Sequence, residues 1–307
     1  MAVKIVAEIS ANHRGREQEA YALVEMAKEC GADYVKFQLF DPLQMAVDPR
    51  PYYQNLTPWD WFPRLFAHAR KIGIEPFASV FDLHSLESIR SLEPAYIKIA
   101  SFENSHWPLI DVAHQTGIPL IISTGMMSRH ELRALRTFLD DQDGEITWLK
   151  CTSAYPAPDQ ALNLGAIRKE HKMGFSDHTK DHVAAIAAVG AGAIMLERHI
   201  ALSDDAVDAS CSSVGLLAFE AYVDAVRRAE AMCGTNFGPQ PQELTAARRA
   251  IYSTRDIKLN EKFTDDNVAV LRGPGGGVHP KHYWVLLKRS SSREISAGEP
   301  IVEGDFR

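Results

Sequence analysis

Residues 1–232 repeat one pattern of segments, and this repeat limits the possible folds. A short β-rich run is followed by a polar turn and then by a helical pattern. Windows such as EAYALVEMAKECGA, TPWDWFPRLFAHARKIG and DHVAAIAAVGAGA carry apolar residues at i, i+3 and i+4, which predicts helices. The eight candidate strands are KIVAEIS (from Lys4), DYVKFQLF (from Asp33), PFASVF (from Pro76), AYIKIAS (from Ala95), PLIIST (from Pro119), ITWLKCTS (from Ile146), MGFS (from Met173) and AIMLERHI (from Ala193).

Eight strand–helix units predict an α/β protein with a parallel sheet, and eight is the number of strands that closes a barrel. Glycines stand where helix C-caps are expected, at Gly31, Gly73, Gly117 and Gly192. The alternative is an open doubly wound sheet, but no G-x-G-x-x-G opens the first helix. We therefore predict a (β/α)₈ TIM barrel over residues 1–235.

The pattern changes after Ala231. The segment CGTNFGPQPQELT is rich in Gly, Pro and Gln, which predicts a linker over residues 236–249. Residues 250–307 contain short strand-like pieces separated by turns, and they predict a small, mostly-β domain. Because a core of that size is marginal on its own, we expect this domain to dock on a barrel, its own or a partner's.

Charge and composition exclude several classes of partner. The formal net charge is −7, which argues against a general nucleic-acid binder, although a few converging lysines can still hold a small anion. No run approaches the about 20 apolar residues of a membrane helix, and the first residues do not resemble a secretion signal. The four cysteines show no C-x-x-C spacing, so we expect a cytoplasmic protein.

Polar and ionisable groups stand at the ends of the predicted strands, where barrel enzymes carry their chemistry. A lysine in a barrel mouth is unfavourable unless an anion or a carboxylate balances its charge. Lys36 and Lys98, with several hydroxyl groups nearby, therefore predict a site for a phosphorylated or carboxylated ligand. The candidates at strand ends are Glu8, Lys36, Gln38, Lys98, Ser101, Glu103, Ser123, Ser153, Tyr155, Ser176, His178, Glu197 and His199.

Two histidines follow adjacent strands of the predicted barrel. His178 ends the seventh strand and His199 ends the eighth, with Glu197 two residues before it. Neutral imidazoles in this arrangement suit a divalent metal of the Mn, Fe, Co or Zn type. The alternative is a pair of hydrogen-bonded histidines without a metal, and the spacing alone leaves both interpretations open.

Eight ordered motifs resemble the sialic acid synthase family: AEISANHRG, VKFQ, TPWDWFPRLF, YIKIASFE, IISTGM, LKCTSAYPAP, GFSDHT and LERHI. The C-terminal module resembles the antifreeze-like (SAF) domain of that family. TPWDW, KIASFE and CTSAYPAP are most similar to pseudaminic acid synthases, with N-acetylneuraminate and legionaminic acid synthases as alternatives. The resemblance implies a transferase that joins phosphoenolpyruvate to a 2,4-diacetamido-2,4,6-trideoxyhexose and releases phosphate by C–O cleavage.

The resemblance also implies roles for individual residues, a divalent metal (Mn²⁺ first, Mg²⁺ or Co²⁺ as alternatives) and a domain-swapped homodimer. The metal ligands would be His178 and His199, and the residues at the reacting centre would be Glu8, Lys36 and Lys98. The phosphoenolpyruvate site would comprise Lys36, Lys98, Ser101, Ser123, Ser153 and Ser176. The sugar site would comprise Gln38, Glu103, Tyr155, Glu197, Asp208 and Arg272.

Three departures from the family pattern bear on function. The G-P-D of the family reads AVD before and at Asp208, its K-H-F reads RHI at 198–200, and its R-P-G reads RGPGGG from Arg272. A non-catalytic paralogue that binds sugar or phosphate is therefore one alternative. A Schiff-base aldolase that uses Lys98 or Lys36 as nucleophile is another.

Overall fold

Eight parallel strands close into a barrel in the computed structural model, which describes residues 2–140, 146–170, 172–234, 238, 243 and 248–307. Each strand pairs with the next in sequence, and the eighth pairs with the first, so the sheet is closed. The predicted (β/α)₈ class is confirmed. The strands are β1 Lys4–Glu8, β2 Tyr34–Leu39, β3 Glu75–Val80, β4 Ile97–Ile99, β5 Leu120–Ser123, β6 Thr147–Cys151, β7 Met173–Asp177, β8 Met195–Ala201 and the short β9 Ser213–Val214 beside β8.

Helices follow the strands and end where the sequence predicts. Gly31, Gly73, Gly117 and Gly192 all have positive φ, between 73° and 94°, which is the conformation of a glycine C-cap. Among the described residues, no helix is long and apolar enough to cross a bilayer. The barrel helices are α1 Glu17–Glu29, α2 Pro42–Met45, α3 Phe62–Lys71, α4 Leu83–Arg90, α5 Trp107–Gln115, α6 Arg129–Phe138, α7 Val183–Gly190 and α8 Leu216–Met232.

The connection from β6 to β7 differs from the predicted strand–helix repeat. Its described residues, 152–170 and 172, contain two 3₁₀ segments, Asp159–Ala161 and Leu164–Lys169, and no α-helix. Pro156 and Pro158 have no amide hydrogen, so neither could donate a hydrogen bond in the interior of a helix. Asn163 then adopts a left-handed conformation, with φ of 50°, between the two segments. The chain therefore forms two short 3₁₀ segments here in place of an α-helix.

The barrel interior is layered, and this layering creates the site. An apolar layer is formed by inward-facing side chains of five strands, and a polar layer lies two residues further along the same strands, because residues two apart share a face. The apolar layer is Val6, Phe77, Ile121, Leu149 and Met195. The buried groups above it are Glu8, Ser79, Ser123, Cys151 and Glu197. Lys36 and Lys98 follow Tyr34 and Tyr96 in the same way.

The main hydrophobic core lies between the outer face of the sheet and the helices. Phe37 of β2 packs with its ring centroid 6.0 Å from those of Phe62 and Phe66 on α3. All three side chains are buried. Burying side chains of this kind contributes about 1.5–3 kcal/mol each. This packing fixes β2, and with it the position of Lys36.

Residues 235–307 form a second compact unit, separate from residues 1–234. In it β10 Arg249–Ser253 pairs antiparallel with β11 Val268–Arg272, further isolated bridges join its loops, and α9 spans Tyr283–Leu286. The predicted mostly-β character is confirmed. Of the predicted linker 236–249, only 238, 243, 248 and 249 are among the described residues. The core of the unit is Ile251, Ile257, Phe263, Val268, Val278, Leu286, Ile295 and Ile301.

Candidate active site

A cavity of about 490 Å³ opens at the carboxyl ends of the barrel strands. Its volume is within the range of small-molecule sites. Most of the residues predicted from the strand ends line it, although they are far apart in sequence. Those lining the cavity are Lys36, Gln38, Lys98, Ser101, Glu103, Ser123, Tyr155, Ser176, His178, Glu197, His199 and Asp208.

Three predicted site residues do not line the cavity. Glu8 is buried and pairs with Lys36, and Ser153 lies close to Gly125, where its Oγ is 2.3 Å from the position a Cβ would take. Arg272 is an exposed residue at the end of β11 in the second unit. The roles implied for these three residues stay predictions.

Lys36 is held by two carboxylates inside the barrel. Its Nζ forms an ion pair with Glu8, lies 3.1 Å from Oε2 of Glu197 and donates a hydrogen bond of 3.0 Å to Oγ of Ser79. Burial opposes its charge, but the carboxylates of Glu197 and Glu8 outweigh that effect and raise the pKa of Lys36 above its ordinary value. Lys36 is therefore a fixed cation in the wall of the cavity.

Lys98 has weaker contacts with carboxylates than Lys36 has. Its Nζ donates to Oγ of Ser123 at 2.8 Å and to the Ile99 carbonyl at 3.1 Å, whereas Oε2 of Glu197 is 4.0 Å away. Burial lowers the pKa of Lys98 to about 8, opposed by Glu197 and reinforced by Lys36. This ammonium group is the cation best placed to receive an anionic ligand.

Glu197 connects the two lysines to the histidine side of the cavity. Burial disfavours its ionised form, but Lys36 and Lys98 outweigh burial and lower the pKa of Glu197 to about 2. The hydroxyl of Ser176 donates to its Oε1 at 2.9 Å. The carboxylate is thus held from two sides and stays ionised across the neutral pH range.

The two predicted histidines meet at the cavity wall. The ring centroids of His178 and His199 are 5.2 Å apart, with an angle of 62° between the planes. Nδ1 of His178 lies 3.0 Å from the Thr152 carbonyl, and since a carbonyl can only accept, Nδ1 carries a proton; in the neutral ring Nε2 is then the nitrogen with the lone pair. Tyr155 stacks on His178 at 4.2 Å and meets His199 edge-on at 5.9 Å.

Asp208 lies beside His199, despite the AVD departure in its segment. Its Oδ2 is 3.2 Å from Nδ1 of His199, without the alignment of a hydrogen bond. Burial opposes its ionisation, but the contact with His199 outweighs burial and lowers the pKa of Asp208 to about 2. Asn12 holds this loop, because its side chain accepts from the Asp208 amide and donates to the Ile200 carbonyl, both at 2.9 Å.

The donor set of the histidine pair fits a divalent metal. A ring nitrogen held by a carbonyl or beside a carboxylate leaves the other nitrogen free as a ligand, which is the usual arrangement around protein metals. Within the described residues, no group of three or more His, Cys, Asp or Glu side chains is arranged to hold a metal.

Glu103 is the neutral acid of the cavity. It is buried, and its Oε2 has no hydrogen-bond partner among the described residues. Burial raises the pKa of Glu103 to about 8, so the carboxyl group keeps its proton at neutral pH. A protonated carboxyl can donate a hydrogen bond to an oxygen of a ligand.

Sequence reasoning missed Ser79, which helps to hold Lys36. The alternation of PFASVF offered a signal, because Ser79 is two residues from the inward-facing Phe77. It also missed Gly125, whose backbone touches two of the predicted serines. A Cβ there would lie 2.3 Å from Oγ of Ser153 and 2.6 Å from Oγ of Ser101. No pattern in IISTGM points to this packing.

A closed parallel barrel with buried lysines, carboxylates, hydroxyls and imidazoles around one cavity defines a (β/α)₈ enzyme that acts on small molecules. The sequence pattern of the NeuB family matches residues 23–237, and that of the SAF domain matches residues 248–307. The chain belongs to the NeuB family, which confirms the resemblance of its motifs.

Two curated relatives and one solved structure illustrate the similarity. A pseudaminic acid synthase of Campylobacter jejuni is 33% identical over 99% of this chain and 97% of its own length. An N,N'-diacetyllegionaminic acid synthase of Legionella pneumophila is 30% identical over 97% of this chain and 93% of its own length. The putative spore coat polysaccharide biosynthesis protein E of Chromobacterium violaceum has a TM-score of 0.81 at 23% identity and covers 99% of both chains, which supports the fold alone. The chain is therefore an enzyme of sugar biosynthesis.

Proposed function

We propose that the chain joins phosphoenolpyruvate to an open-chain 2,4-diacetamido-2,4,6-trideoxyhexose, giving a nonulosonic acid of the pseudaminic type and phosphate. One observation carries this proposal. A single cavity contains two buried lysines, Lys36 and Lys98, and the paired imidazoles of His178 and His199. The name of the 33% identical relative, pseudaminic acid synthase, supports the choice of sugar.

Phosphoenolpyruvate would bind at the lysine side of the cavity. Lys98 and the hydroxyls of Ser123 and Ser176 are buried there and line the cavity. A charged donor with neighbouring hydroxyls suits phosphate and carboxylate oxygens. Because Lys36 is already paired with two carboxylates, we assign the larger share of ligand binding to Lys98.

The amino sugar would bind across the mouth of the cavity. Phe40, Phe81 and Phe102 line the cavity on the side of strands β2–β4. Apolar side chains suit the methyl groups of two acetamido substituents and of a 6-deoxy carbon. Glu103, protonated at neutral pH, would donate a hydrogen bond to a sugar oxygen. This surface supports a deoxy acceptor more than a fully hydroxylated one.

His178 and His199 would hold a divalent cation, Mn²⁺ as the first expectation and Mg²⁺ or Co²⁺ as alternatives, which would supply Lewis-acid polarisation of the aldehyde oxygen. The protein's own part is to orient the two rings. The Thr152 carbonyl fixes the tautomer of His178, and Tyr155 covers both rings from one side.

In the proposed reaction, C3 of phosphoenolpyruvate forms a bond to the aldehyde carbon as the C2–C3 double bond opens. Water adds its oxygen to C2, and one of its protons converts the aldehyde oxygen to a hydroxyl. Phosphate then leaves with the proton of the new C2 hydroxyl as its C2–O bond breaks, and C2 becomes a ketone. Lys36 and Lys98 offset the negative charge through fixed geometry, which is effective in a buried site. Glu8 contacts Lys36 and does not line the cavity. We therefore propose that Glu8 holds the ammonium of Lys36, in place of the position at the reacting centre that the family resemblance implied.

A substrate panel in ¹⁸O-labelled water tests the proposal. Hexosamine aldehydes with one or two acetamido groups are mixed with phosphoenolpyruvate, Mn²⁺ and the full-length enzyme, and phosphate release is measured. We expect release with the 2,4-diacetamido-2,4,6-trideoxy sugar and ¹⁸O in the nonulosonic acid. Label in the phosphate would refute C–O cleavage. Preference for another sugar would favour the legionaminic or neuraminate alternative, and no release with any sugar would favour a non-catalytic binder.

Gly125→Ala is expected to weaken phosphoenolpyruvate use by about 10- to 100-fold in kcat/KM, because small misplacements of binding groups have effects of this size. The new Cβ would also meet Cβ of Ser101 at 2.8 Å, so rotation of a hydroxyl alone does not relieve the clash. Gly165→Ala is the matched control, since nothing lies within 4 Å of its added Cβ. Equal kcat/KM values for the two variants would contradict the assignment of this serine pair to the phosphoenolpyruvate site.

One observation favours a second candidate, the Schiff-base aldolase. A nucleophilic lysine needs a lowered pKa, and burial lowers the pKa of Lys98 to about 8. Its surroundings differ from those of such a lysine, because Ser123 and Glu197 lie close to it instead of an apolar pocket. Borohydride reduction in the presence of a keto acid separates the two. Mass spectrometry would detect a covalent adduct on Lys98 only if the aldolase interpretation is right.

A further inference from the structure

The strands that carry the two histidines are joined on the face pointing away from the cavity. Asp177 and Arg198 are register partners on β7 and β8, and each directly precedes one histidine. Arg198 Nη1 lies 3.6 Å from Asp177 Oδ1, and both side chains are buried. Because side chains alternate along a strand, this pair faces the helices while His178 and His199 line the cavity.

Arg198 also reaches beyond the strand ends. Its guanidinium donates to the carbonyls of Thr179 at 2.6 Å and Lys180 at 3.3 Å, and to Oγ of Ser213 at 3.1 Å. Thr179 directly follows His178, and Ser213 begins β9, which closes the loop carrying Asp208. One side chain therefore ties the chain that follows His178 to the chain that follows His199.

Asp177 also accepts several hydrogen bonds. Its Oδ1 accepts from the amide and the hydroxyl of Thr179 at 2.9 Å and 2.7 Å, and its Oδ2 accepts from the Tyr222 hydroxyl at 3.2 Å. The guanidinium also lies 5.1 Å from the ring centroid of Tyr222. We call Asp177, Arg198 and Tyr222 the clamp.

Stability alone does not account for a buried ion pair at this place. Removing two charges from water costs several kcal/mol each, and well-packed apolar residues of the same volume are often equally stable or more so. Apolar side chains do not orient their neighbours. The planar guanidinium group of arginine, by contrast, holds several hydrogen-bond acceptors in fixed directions. The clamp fixes the backbone on both sides of His178 and immediately before His199.

We propose that Asp177 and Arg198 are positioning residues, which set the separation and orientation of the His178 and His199 rings without touching substrate. The inference rests on the proposed function, in which the two imidazoles bind a cation. The resemblance to the family gave no role to either residue, and the RHI departure from K-H-F falls on Arg198 itself.

The test is a titration of metal-free full-length protein with Mn²⁺, followed by electron paramagnetic resonance. Loss of groups that orient metal-binding histidines typically weakens metal affinity by about 10- to 100-fold. We expect a loss of this size for Arg198→Met and a smaller one for Arg198→Lys, whose single ammonium cannot replace the fork. Arg227→Met is the control, because Arg227 bonds the Val3 carbonyl and Asp33 at the opposite end of the strands. Its Mn²⁺ affinity should stay within about twofold of that of the unmodified protein.

Kinetic measurements distinguish a positioning role of Arg198 from a general loss of structure. Arg198→Lys should lower kcat and leave the dissociation constant of phosphoenolpyruvate unchanged. If Arg198→Met does not fold by circular dichroism, Arg198→Lys decides, and an unchanged Mn²⁺ affinity in that folded variant would overturn the proposal. Absence of Mn²⁺ binding by the unmodified protein would overturn it as well. If the unmodified protein binds Mn²⁺ but releases no phosphate with any sugar, the proposed function fails, while the affinities of the variants still test the clamp.

Discussion

Lys36→Met is expected to lower the free energy of unfolding of the barrel by about 3–5 kcal/mol, as breaking a buried ion pair commonly does. The substitution leaves the carboxylates of Glu8 and Glu197 inside the barrel without their nearest cation. Lys98, at 4.0 Å from Glu197, replaces only part of this interaction. Chemical denaturation followed by the fluorescence of the barrel tryptophans, among them the buried Trp148, measures the change.

Lys150→Met is the matched control for this experiment. Lys150 is a partly buried lysine on β6 that donates to the Cys151 carbonyl at 3.1 Å and has no carboxylate partner within the described chain. Its replacement should cost less than about 1 kcal/mol, as expected for loss of one modest hydrogen bond. Adding Glu8→Gln and Glu197→Gln to Lys36→Met should recover most of the lost stability, because the two buried carboxylates that lost Lys36 are then removed. Equal stabilities of Lys36→Met and Lys150→Met would show that the ion cluster does not stabilise the barrel.

The sequence predicts the barrel well because its signals are local. The alternation of each strand, the helical period between strands and a glycine such as Gly31 at a helix end are all read within about ten residues. The gathering of Lys36, Lys98 and His178 at one cavity follows from the same information, since all strands of a barrel end on one face. The β6–β7 connection departs from the prediction because Pro156, Pro158 and the left-handed Asn163 do not fit a continuous α-helix.

The pairing of charges within the site depends on strand register, which the sequence does not specify. Glu8 pairs with Lys36 because the two residues are register partners on β1 and β2. Asp177 and Arg198 meet for the same reason on β7 and β8. A shift of one residue between two strands would exchange every partner and every face. Sequence reasoning could therefore assign Glu8 and Lys36 to the site but could not predict that they pair with each other.

The two lysines consequently differ in their electrostatic environment, although their sequence contexts are alike. Lys36 is neutralised by the protein itself, and its pKa is raised. Lys98 keeps one hydroxyl and one carbonyl as partners, and burial lowers its pKa to about 8. A buried cation whose contact with a carboxylate is as long as 4.0 Å is only partly compensated in the free enzyme and gains most when an anion binds. Substitutions at the two positions should therefore separate stability from ligand binding.

Lys98→Met is expected to lower kcat/KM for phosphoenolpyruvate by about 100- to 1000-fold, the usual effect of removing one buried charged or polar donor. It should change the stability of the free enzyme little, because the nearest carboxylate to the removed ammonium, within the described part of the chain, is 4.0 Å away. Calorimetric titration with phosphoenolpyruvate and thermal unfolding of the same variant measure the two quantities. Lys150→Met, whose side chain does not line the cavity, should bind phosphoenolpyruvate as the unmodified enzyme does.

The pH dependence of phosphoenolpyruvate binding provides a second test of Lys98. Because burial lowers the pKa of Lys98 to about 8, the free enzyme loses this positive charge as the pH rises through that value. A bound anion stabilises the protonated form, so binding above pH 8 must be accompanied by proton uptake. The dissociation constant of phosphoenolpyruvate should therefore rise by up to about tenfold per pH unit above 8 in the unmodified enzyme. It should stay nearly flat in Lys98→Met. A parallel rise in both proteins would mean that another group titrates, and equal affinities at pH 7 would exclude Lys98 from the anion site.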